Sequence, residues 1–262
     1  MRLLSLATLL TVVAPGLGGA ADLPAIQKRG SLRVLVVEGS PRFFALASDA
    51  PPGIDREILA GFASVQKVGL TVVPVASWDG LVPALVEDRG DVAAGGMTVT
   101  EARAKLVAFS TEVFPTREVV VTRRPHAAIT TLEALRAERV GTIKGTSLAG
   151  ALRDARVPAA NVDDTFASGK LEEALQSGRV TAIVLGVEDA IVAQQADPDM
   201  QLGLFLGAKA SLAFAVQKDA PALLRALDDY VGNVRRTSTW NRLVVKYFGT
   251  ASLQILQRSQ AP

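Results

Sequence analysis

Apolar and polar residues follow two patterns along the chain, and together they predict an α/β protein. Short apolar runs, such as LRVLVV at 32–37 and TVVPV at 71–75, are typical of buried strands. Between them, IDREILAGFASVQ at 54–66 repeats apolar residues at helical spacing, which predicts an amphipathic helix. Because strand-like and helix-like segments keep alternating, we expect mixed, mainly parallel sheets flanked by helices.

Two segments in different halves of the chain repeat one arrangement. ALVEDRGDVAAGG at 84–96 and ALQSGRVTAIVLG at 174–186 both run from a helix through a glycine turn into a buried strand with a glycine at its end. Ligands of open α/β sheets bind beyond the carboxyl ends of the strands. The sequence therefore predicts two lobes that present such ends to each other across a cleft.

The pattern of strands and helices restarts after the strand-like segment 118–124, and a second such segment occurs at 211–217. We interpret these segments as two hinge crossings between the lobes. The predicted first lobe is discontinuous and consists of residues 22–119 and 215–262, and the second lobe is 120–214.

Residues 1–21 have the pattern of a cleavable secretion signal. Arg2 precedes an apolar run, and small residues lead to a cleavage site expected between Ala21 and Asp22. Pro15 and three glycines interrupt the run, which falls short of the roughly 20 apolar residues that span a membrane. We expect a periplasmic protein, and the lack of cysteine leaves no site for a lipid anchor.

Composition excludes several classes of function. The chain has 28 basic and 26 acidic residues, one histidine and no cysteine, and no basic run with interleaved aromatic residues suggests nucleic-acid binding. His126 lies in an apparent loop, so Ser–His and Cys–His catalysis lack an obvious base and a zinc site lacks ligands. We expect no metal, no cofactor and no enzymatic activity.

The stretch GGMTVTEARAKLVAFS at 95–110 contains one residue of unusual placement. Thr100 is a good N-cap, which puts Arg103 in the first helical turn, where the helix dipole disfavours a cation. A bound carboxylate would explain the arrangement, because a guanidinium offers two parallel donors that match it. Alternatively, Arg103 points outward and pairs with a surface acid such as Glu101.

Five quoted segments resemble the periplasmic solute-binding proteins of polar amino-acid ABC transporters, also called solute-binding family three. They are GSLRVLVVEGSPRFF, PPGIDREILAGFA, VASWDGLVPALVEDRGDVAAGGMTVTEARAKLVAFS, VGTIKGTSLAGAL and KYFG. The resemblance implies the two-lobed type II periplasmic binding fold and a monomer that captures a small carboxylate-bearing solute. It also implies delivery of that solute to the membrane permease of an ABC importer.

The resemblance also assigns ligand-binding residues. In relatives, the arginine at the position of Arg103 pairs with the ligand carboxylate, and a threonine at that of Thr98 donates to the same ligand. The further positions that match the family's site are Trp78, Gly96, Lys144, Thr146 and Ser147. The alternatives are that Trp78 only fills a helix–sheet interface and that the loop with Lys144, Thr146 and Ser147 is a plain strand-to-helix turn.

Two parts of the site depart from the family pattern. The position of the aspartate that binds an α-ammonium group aligns with Val187, so Glu188 is a candidate substitute. The segment before Phe43 is shorter than usual near Ser40, which leaves Glu38 and Phe43 as candidates there. We therefore expect a ligand without a free α-amino group, or one whose amine is held elsewhere, for example by Glu188.

Two alternatives remain open on the same fold. One is an accessory or sensor protein, as in relatives associated with periplasmic dehydrogenases. The other is a dehydratase-like enzyme, for which Glu188 or Glu38 would have to supply the acid. The sequence does not identify the ligand.

Overall fold

The structure is a computed structural model that describes residues 22–38, 41–47, 49–250 and 252. The predicted secretion signal, residues 1–21, lies outside the described residues, as does the gap near Ser40. Within the described ranges, no helix is both long and apolar enough to cross a membrane.

The described residues form ten strands. They are β1 (Ser31–Val37), β2 (Gly69–Val75), β3 (Val92–Ala93), β4 (Ala108–Phe109), β5 (Phe114–Arg123), β6 (Val140–Gly141), β7 (Val162–Asp163), β8 (Ala182–Gly186), β9 (Met200–Leu212) and β10 (Ala215–Val216).

Ten α-helices connect or follow these strands. They are α1 (Leu23–Arg29), α2 (Ile54–Val65), α3 (Trp78–Val86), α4 (Glu101–Ala104), α5 (Leu132–Arg136), α6 (Ser147–Asp154), α7 (Leu171–Gln176), α8 (Val187–Ala196), α9 (Pro221–Arg236) and α10 (Ser238–Phe248).

The strands form two five-stranded sheets, in the orders β2-β1-β3-β10-β4 and β7-β6-β8-β5-β9. In each sheet the first three strands are parallel, the fourth is antiparallel to them, and the fifth is antiparallel to the fourth. Four of the five strands therefore point the same way. The prediction of two mixed, mainly parallel sheets flanked by helices is confirmed.

Helices cover both faces of each sheet. Helices α2, α9 and α10 pack on one face of the first sheet, and α3 packs on the other. Helices α7 and α8 cover one face of the second sheet, and α5 and α6 cover the other. Burial on both faces explains the apolar runs VLVV at the end of β1 and AIVL in β8. We call the first sheet with its helices the first half, and the second sheet with its helices the second half.

The chain passes between the sheets twice. It leaves the first sheet after β4 and enters the second at Phe114, and it returns between Leu212 and Ala215. Strands β5 and β9 pair antiparallel along most of their length, with two register shifts. The exact lobe boundaries at 119/120 and 214/215 stay a prediction.

Candidate functional site

A cavity of about 110 Å³ lies between the two halves, and residues of both line it. Since on the order of 10–15 Å³ of such space holds one water molecule, the cavity can take several waters or a small solute. Its first wall comes from residues 41–43, the loop after β3, and helices α3 and α4. Its second wall comes from β5, the loops before α6 and α7, and the start of α8.

The loop after β3 is shaped by a buried carboxylate. Asp55, in the first turn of α2, accepts hydrogen bonds from the backbone N–H groups of Gly95 and Gly96, both at 2.9 Å. Burial raises the pKa of Asp55 to about 6, although the two N–H donors act in the opposite direction. Gly96 has φ of 80°, and a Cβ atom there would lie 2.9 Å from the ring of Phe43. This part of the cavity wall is therefore rigidly specified.

Arg103 points into the cavity. As predicted, Thr100 caps the helix: its hydroxyl accepts from the Arg103 N–H at 3.3 Å. Helix α4 has only four residues, so its dipole contributes little. The guanidinium donates through Nη1 to the Thr98 carbonyl at 2.8 Å and through Nη2 to the Gly145 carbonyl at 3.1 Å. The alternative in which Arg103 pairs with a surface acid is thus not what the structure shows.

The environment of Arg103 is largely dry. Burial lowers its pKa, and the nearby charge of Asp79 opposes that effect. An arginine keeps its charge under such conditions because a guanidinium is not deprotonated in proteins. The cavity therefore contains a permanent, poorly solvated cation.

The loop between β6 and α6 faces Arg103 from the second half. Thr146 caps α6 by accepting from the Ala149 N–H, and it donates its own hydroxyl to the Ile143 carbonyl at 2.6 Å. Ser147 donates to the Thr98 hydroxyl oxygen at 3.0 Å, across the boundary between the halves. Both Thr146 and Ser147 line the cavity, whereas the neighbouring Lys144 is exposed and outside its lining.

Two further side-chain contacts join the halves around the cavity. The indole N–H of Trp78 donates to the hydroxyl oxygen of Ser168 at 3.0 Å. The guanidinium of Arg42 contacts one carboxylate oxygen of Asp189 through Nε at 2.9 Å and Nη2 at 2.8 Å. Within the described part of the chain, this is the one ion pair that connects the halves. The structure is therefore closed around the cavity.

The first residues of α8 differ in whether they line the cavity. Val187 is fully buried and packs in the same apolar core as Ile191 and the residues of α10, so it does not line the cavity. Glu188, one residue later, does line it. Consecutive helical residues point about 100° apart, which is why a one-residue shift exchanges an apolar side chain for an acid.

Glu188 is held in place by a hydroxyl. Its Oε2 accepts from the Thr116 hydroxyl at 2.6 Å, and the residue is only 4% exposed. Burial raises the pKa of Glu188 to about 8, and the charges of Asp189 and Glu118 act in the same direction. Glu188 is therefore a buried acid of the cavity wall whose charged form is disfavoured in this closed state.

The remaining two candidates are separated by the structure. Phe43 lines the cavity and packs edge-to-face on Phe114, with ring centroids 6.1 Å apart. Glu38 is exposed at the end of β1 and does not line the cavity.

Sequence reasoning missed the cavity residues Arg42, Glu118, Ser168 and Asp189, and it also missed Asp55, which holds the loop after β3. The hydrogen-bond partners of Arg42, Ser168 and Asp55 are between 40 and 147 positions away along the chain, so the local sequence pattern gives no signal for them. Glu118 is the exception, because a charged residue that begins the apolar run EVVV is a visible anomaly.

The comparisons with known proteins agree with this geometry. Residues 32–250 match the family model of the bacterial extracellular solute-binding proteins, family 3. ABC transporter arginine-binding protein 1 of Escherichia coli is 25% identical over 182 residues, 66% of this chain and 72% of that protein. A crystal structure of a mutant of ArgBP from T. maritima superimposes with a TM-score of 0.77 and 26% identity, covering 86% of this chain and 98% of that one. That likeness supports the type II periplasmic binding fold.

A second group of relatives is much longer. Membrane-bound lytic murein transglycosylase F of Aliivibrio fischeri is 24% identical over 234 residues, which is 87% of this chain and 47% of that protein. The chain spans about half the length of such curated relatives.

The family match covers 32–250 of the 262 residues, and the fold and the cavity between two sheets agree with it. The chain belongs to the bacterial extracellular solute-binding proteins, family 3.

Proposed function

We propose that the protein captures a small carboxylate-bearing solute, an amino acid or a related organic acid, in the cavity between its halves. The observation that carries this proposal is the buried guanidinium of Arg103 between Thr98 and Gly145. Two of the five N–H donors of Arg103 reach protein carbonyls in the described structure, which leaves three for a ligand. A carboxylate is the group that such a fork binds best.

The same wall offers further donors to that carboxylate. Thr98 is 8% exposed, and its hydroxyl accepts from Ser147 across the cavity, so both hydroxyls can turn to an anion without moving the backbone. Contacts from both halves to one ligand would favour the closed state, because a ligand shifts a conformational equilibrium only by its differential contacts. We propose Gly96, Thr146 and Trp78 as further parts of the binding wall.

The opposite wall supports a ligand that also has an amino group. Glu188 lines the cavity, so an ammonium group has an acidic partner there despite the apolar Val187. Of the two options that the sequence left open, we adopt the one in which Glu188 holds the amine.

We propose binding, not catalysis, and delivery to an ABC importer from the periplasm. The support is the family and a relative named as an arginine-binding protein of an ABC transporter. The proposal that the solute is not transformed has a direct test: the solute recovered from the saturated protein should be chemically unchanged by mass spectrometry.

A second candidate function is a sensor or accessory role. It is favoured by relatives in which a similar region makes up about half of a longer protein named as a transglycosylase. A strain that lacks the gene for this protein distinguishes transport from sensing. Loss of uptake of the bound solute supports transport, and unchanged uptake supports sensing.

The experiment that tests the proposed binding is thermal unfolding of the mature protein with amino acids, keto acids and dicarboxylates. A ligand that binds only the folded state raises the unfolding temperature. We expect at least one carboxylate to do so, and the shift to disappear in Arg103→Ala. Stabilisation by none of them, or an equal shift in the variant, would contradict the proposal.

A further inference from the structure

One ion pair joins the two walls of the cavity directly. Arg42 lies on the wall of the first half, Asp189 lies in the first turn of α8 on the wall of the second half, and both line the cavity. The Arg42 guanidinium donates to Asp189 Oδ1 through Nε at 2.9 Å and through Nη2 at 2.8 Å. The two side chains are 31% and 27% exposed, so the pair lies at the rim of the cavity, where the walls meet solvent.

The pair differs from the contacts that Arg103 and Ser147 make between the halves. Arg103 donates to the Gly145 carbonyl, and Ser147 donates to the Thr98 hydroxyl. Arg103, Thr98 and Ser147 are the groups that we propose for the solute carboxylate, so a bound solute competes with both contacts. The ion pair uses none of these groups, and it is therefore available to hold the halves together with or without a bound solute.

Separation of the halves would be unfavourable for Asp189. Within the described part of the chain, Arg42 is the one ion-pair partner of this carboxylate. The residue before it on α8 is Glu188, a buried acid of the same wall. If Arg42 moved away with the first half, Asp189 would remain beside another acid without a cation. The charges near the start of α8 therefore favour the closed arrangement.

We propose that Arg42 and Asp189 are positioning residues that hold the two halves closed, so that the closed fraction of the protein depends on this ion pair. Neither residue has to contact the solute. The inference rests on the proposed function for its consequence alone. A solute gripped by both halves binds more tightly when more of the protein is already closed.

The exposure of the pair sets the size of the effect and how salt changes it. Because the pair is partly exposed, its loss should lower the ratio of closed to open protein about two- to fivefold. Salt screens the attraction between such charges, so the same ratio should fall when NaCl is raised from about 0.05 to about 0.5 M. A contact that acted through packing alone would not respond to salt in this way.

The test measures the distance between the halves in the protein without added solute. The chain has no cysteine, so cysteines introduced at Lys105 and Arg153 carry spin labels at these two positions only. Lys105 follows α4 in the first half, Arg153 lies on α6 in the second, and both are exposed. Double electron–electron resonance then gives the fractions of short and long distances, which report the closed and open protein.

Variants of the pair assign the effect to its charges. Arg42→Gln and Asp189→Asn should each lower the ratio of short to long distances about two- to fivefold, and the double variant should lower it no further. Arg42→Asp should lower the ratio more, because it adds an acid beside Asp189 and Glu188. The exchange of both charges, Arg42→Asp with Asp189→Arg, should raise the ratio above that of Arg42→Asp.

A matched control breaks an ion pair inside one half. Arg123 contacts Asp197 at 2.7 Å within the second half, and its side chain is about as exposed as that of Arg42. Arg123→Gln should therefore leave the distances between the halves unchanged.

Two results would overturn the role of the pair. One is the same distribution of distances in the wild type, Arg42→Gln and Asp189→Asn at low salt. The other is a difference that persists at high salt and is not reduced by exchanging the charges. Either result would leave carboxylate binding by Arg103 standing, and a failure of carboxylate binding in the thermal panel would leave the distances unaffected.

Discussion

Replacing Arg103 by alanine removes the cation on which the proposed carboxylate binding depends. The side chain is mostly buried and donates to Thr98 on its own half and to Gly145 on the other, at 2.8 and 3.1 Å. A ligand carboxylate at this point would be desolvated and unpaired in the variant. The cost is typically about 2–5 kcal/mol, or about 30-fold to several-thousand-fold in affinity.

The assay is isothermal calorimetry with the best ligand from the thermal panel. Arg103→Lys keeps the charge but loses the two parallel donors, so it should recover only part of the affinity. The exposed Arg153 on α6 offers a matched control, and Arg153→Ala should bind like the wild type.

Arg103→Ala also removes one hydrogen bond between the halves, the one that Arg103 donates to the Gly145 carbonyl. The resulting loss of folding stability should be modest, about 1–3 kcal/mol, because the unpaired carbonyls can be hydrated. Circular dichroism separates misfolding from lost affinity. A folded Arg103→Ala protein that binds the ligand within threefold of the wild-type affinity would show that Arg103 does not hold the carboxylate.

Three further predictions concern the residues that shape and close the cavity. The pKa of Asp55 in the folded state is raised to about 6, so its contribution favours folding at acidic pH and is lost as the pH rises from about 4 to 6. Asp55→Asn should therefore flatten that part of the stability–pH profile, which urea unfolding measures. Gly96→Ala should destabilise the fold by about 1–3 kcal/mol because Gly96 has a positive φ and lies close to the ring of Phe43. Gly150→Ala inside α6 should be neutral or stabilising by up to about 1 kcal/mol. Equal effects of the two substitutions in urea unfolding would show that Gly96 does not constrain the cavity wall. Trp78→Phe keeps an aromatic ring but loses the N–H that donates to Ser168, so the ligand affinity measured by calorimetry should fall about 2- to 10-fold. An unchanged affinity would show that this contact does not hold the closed state.

Much of the architecture was predictable because the strands and helices depend on residues that are close together in the sequence. The apolar runs of β1 and β8 and the amphipathic repeat of α2 are short-range signals, and the structure has these elements. Thr100 as an N-cap was equally readable, since capping depends on a side chain and a backbone group three residues apart.

The chemistry of the cavity was less predictable because its residues meet only after folding. Asp55 accepts from Gly95 and Gly96, which are 40 and 41 positions away, and Arg42 contacts Asp189 across 147 positions. At the start of α8, the direction of each side chain depends on where the helix begins. Val187 packs in the apolar core, whereas Glu188, one residue later, lines the cavity.

The central claim is that a solute carboxylate is held by Arg103 between the two halves. A crystal structure of the mature protein with its tightest-binding carboxylate tests it most directly. We expect the carboxylate within hydrogen-bond distance of the Arg103 guanidinium, with further contacts to Thr98 and to residues of the second half. A ligand bound outside this cavity, or one whose carboxylate does not contact Arg103, would contradict it.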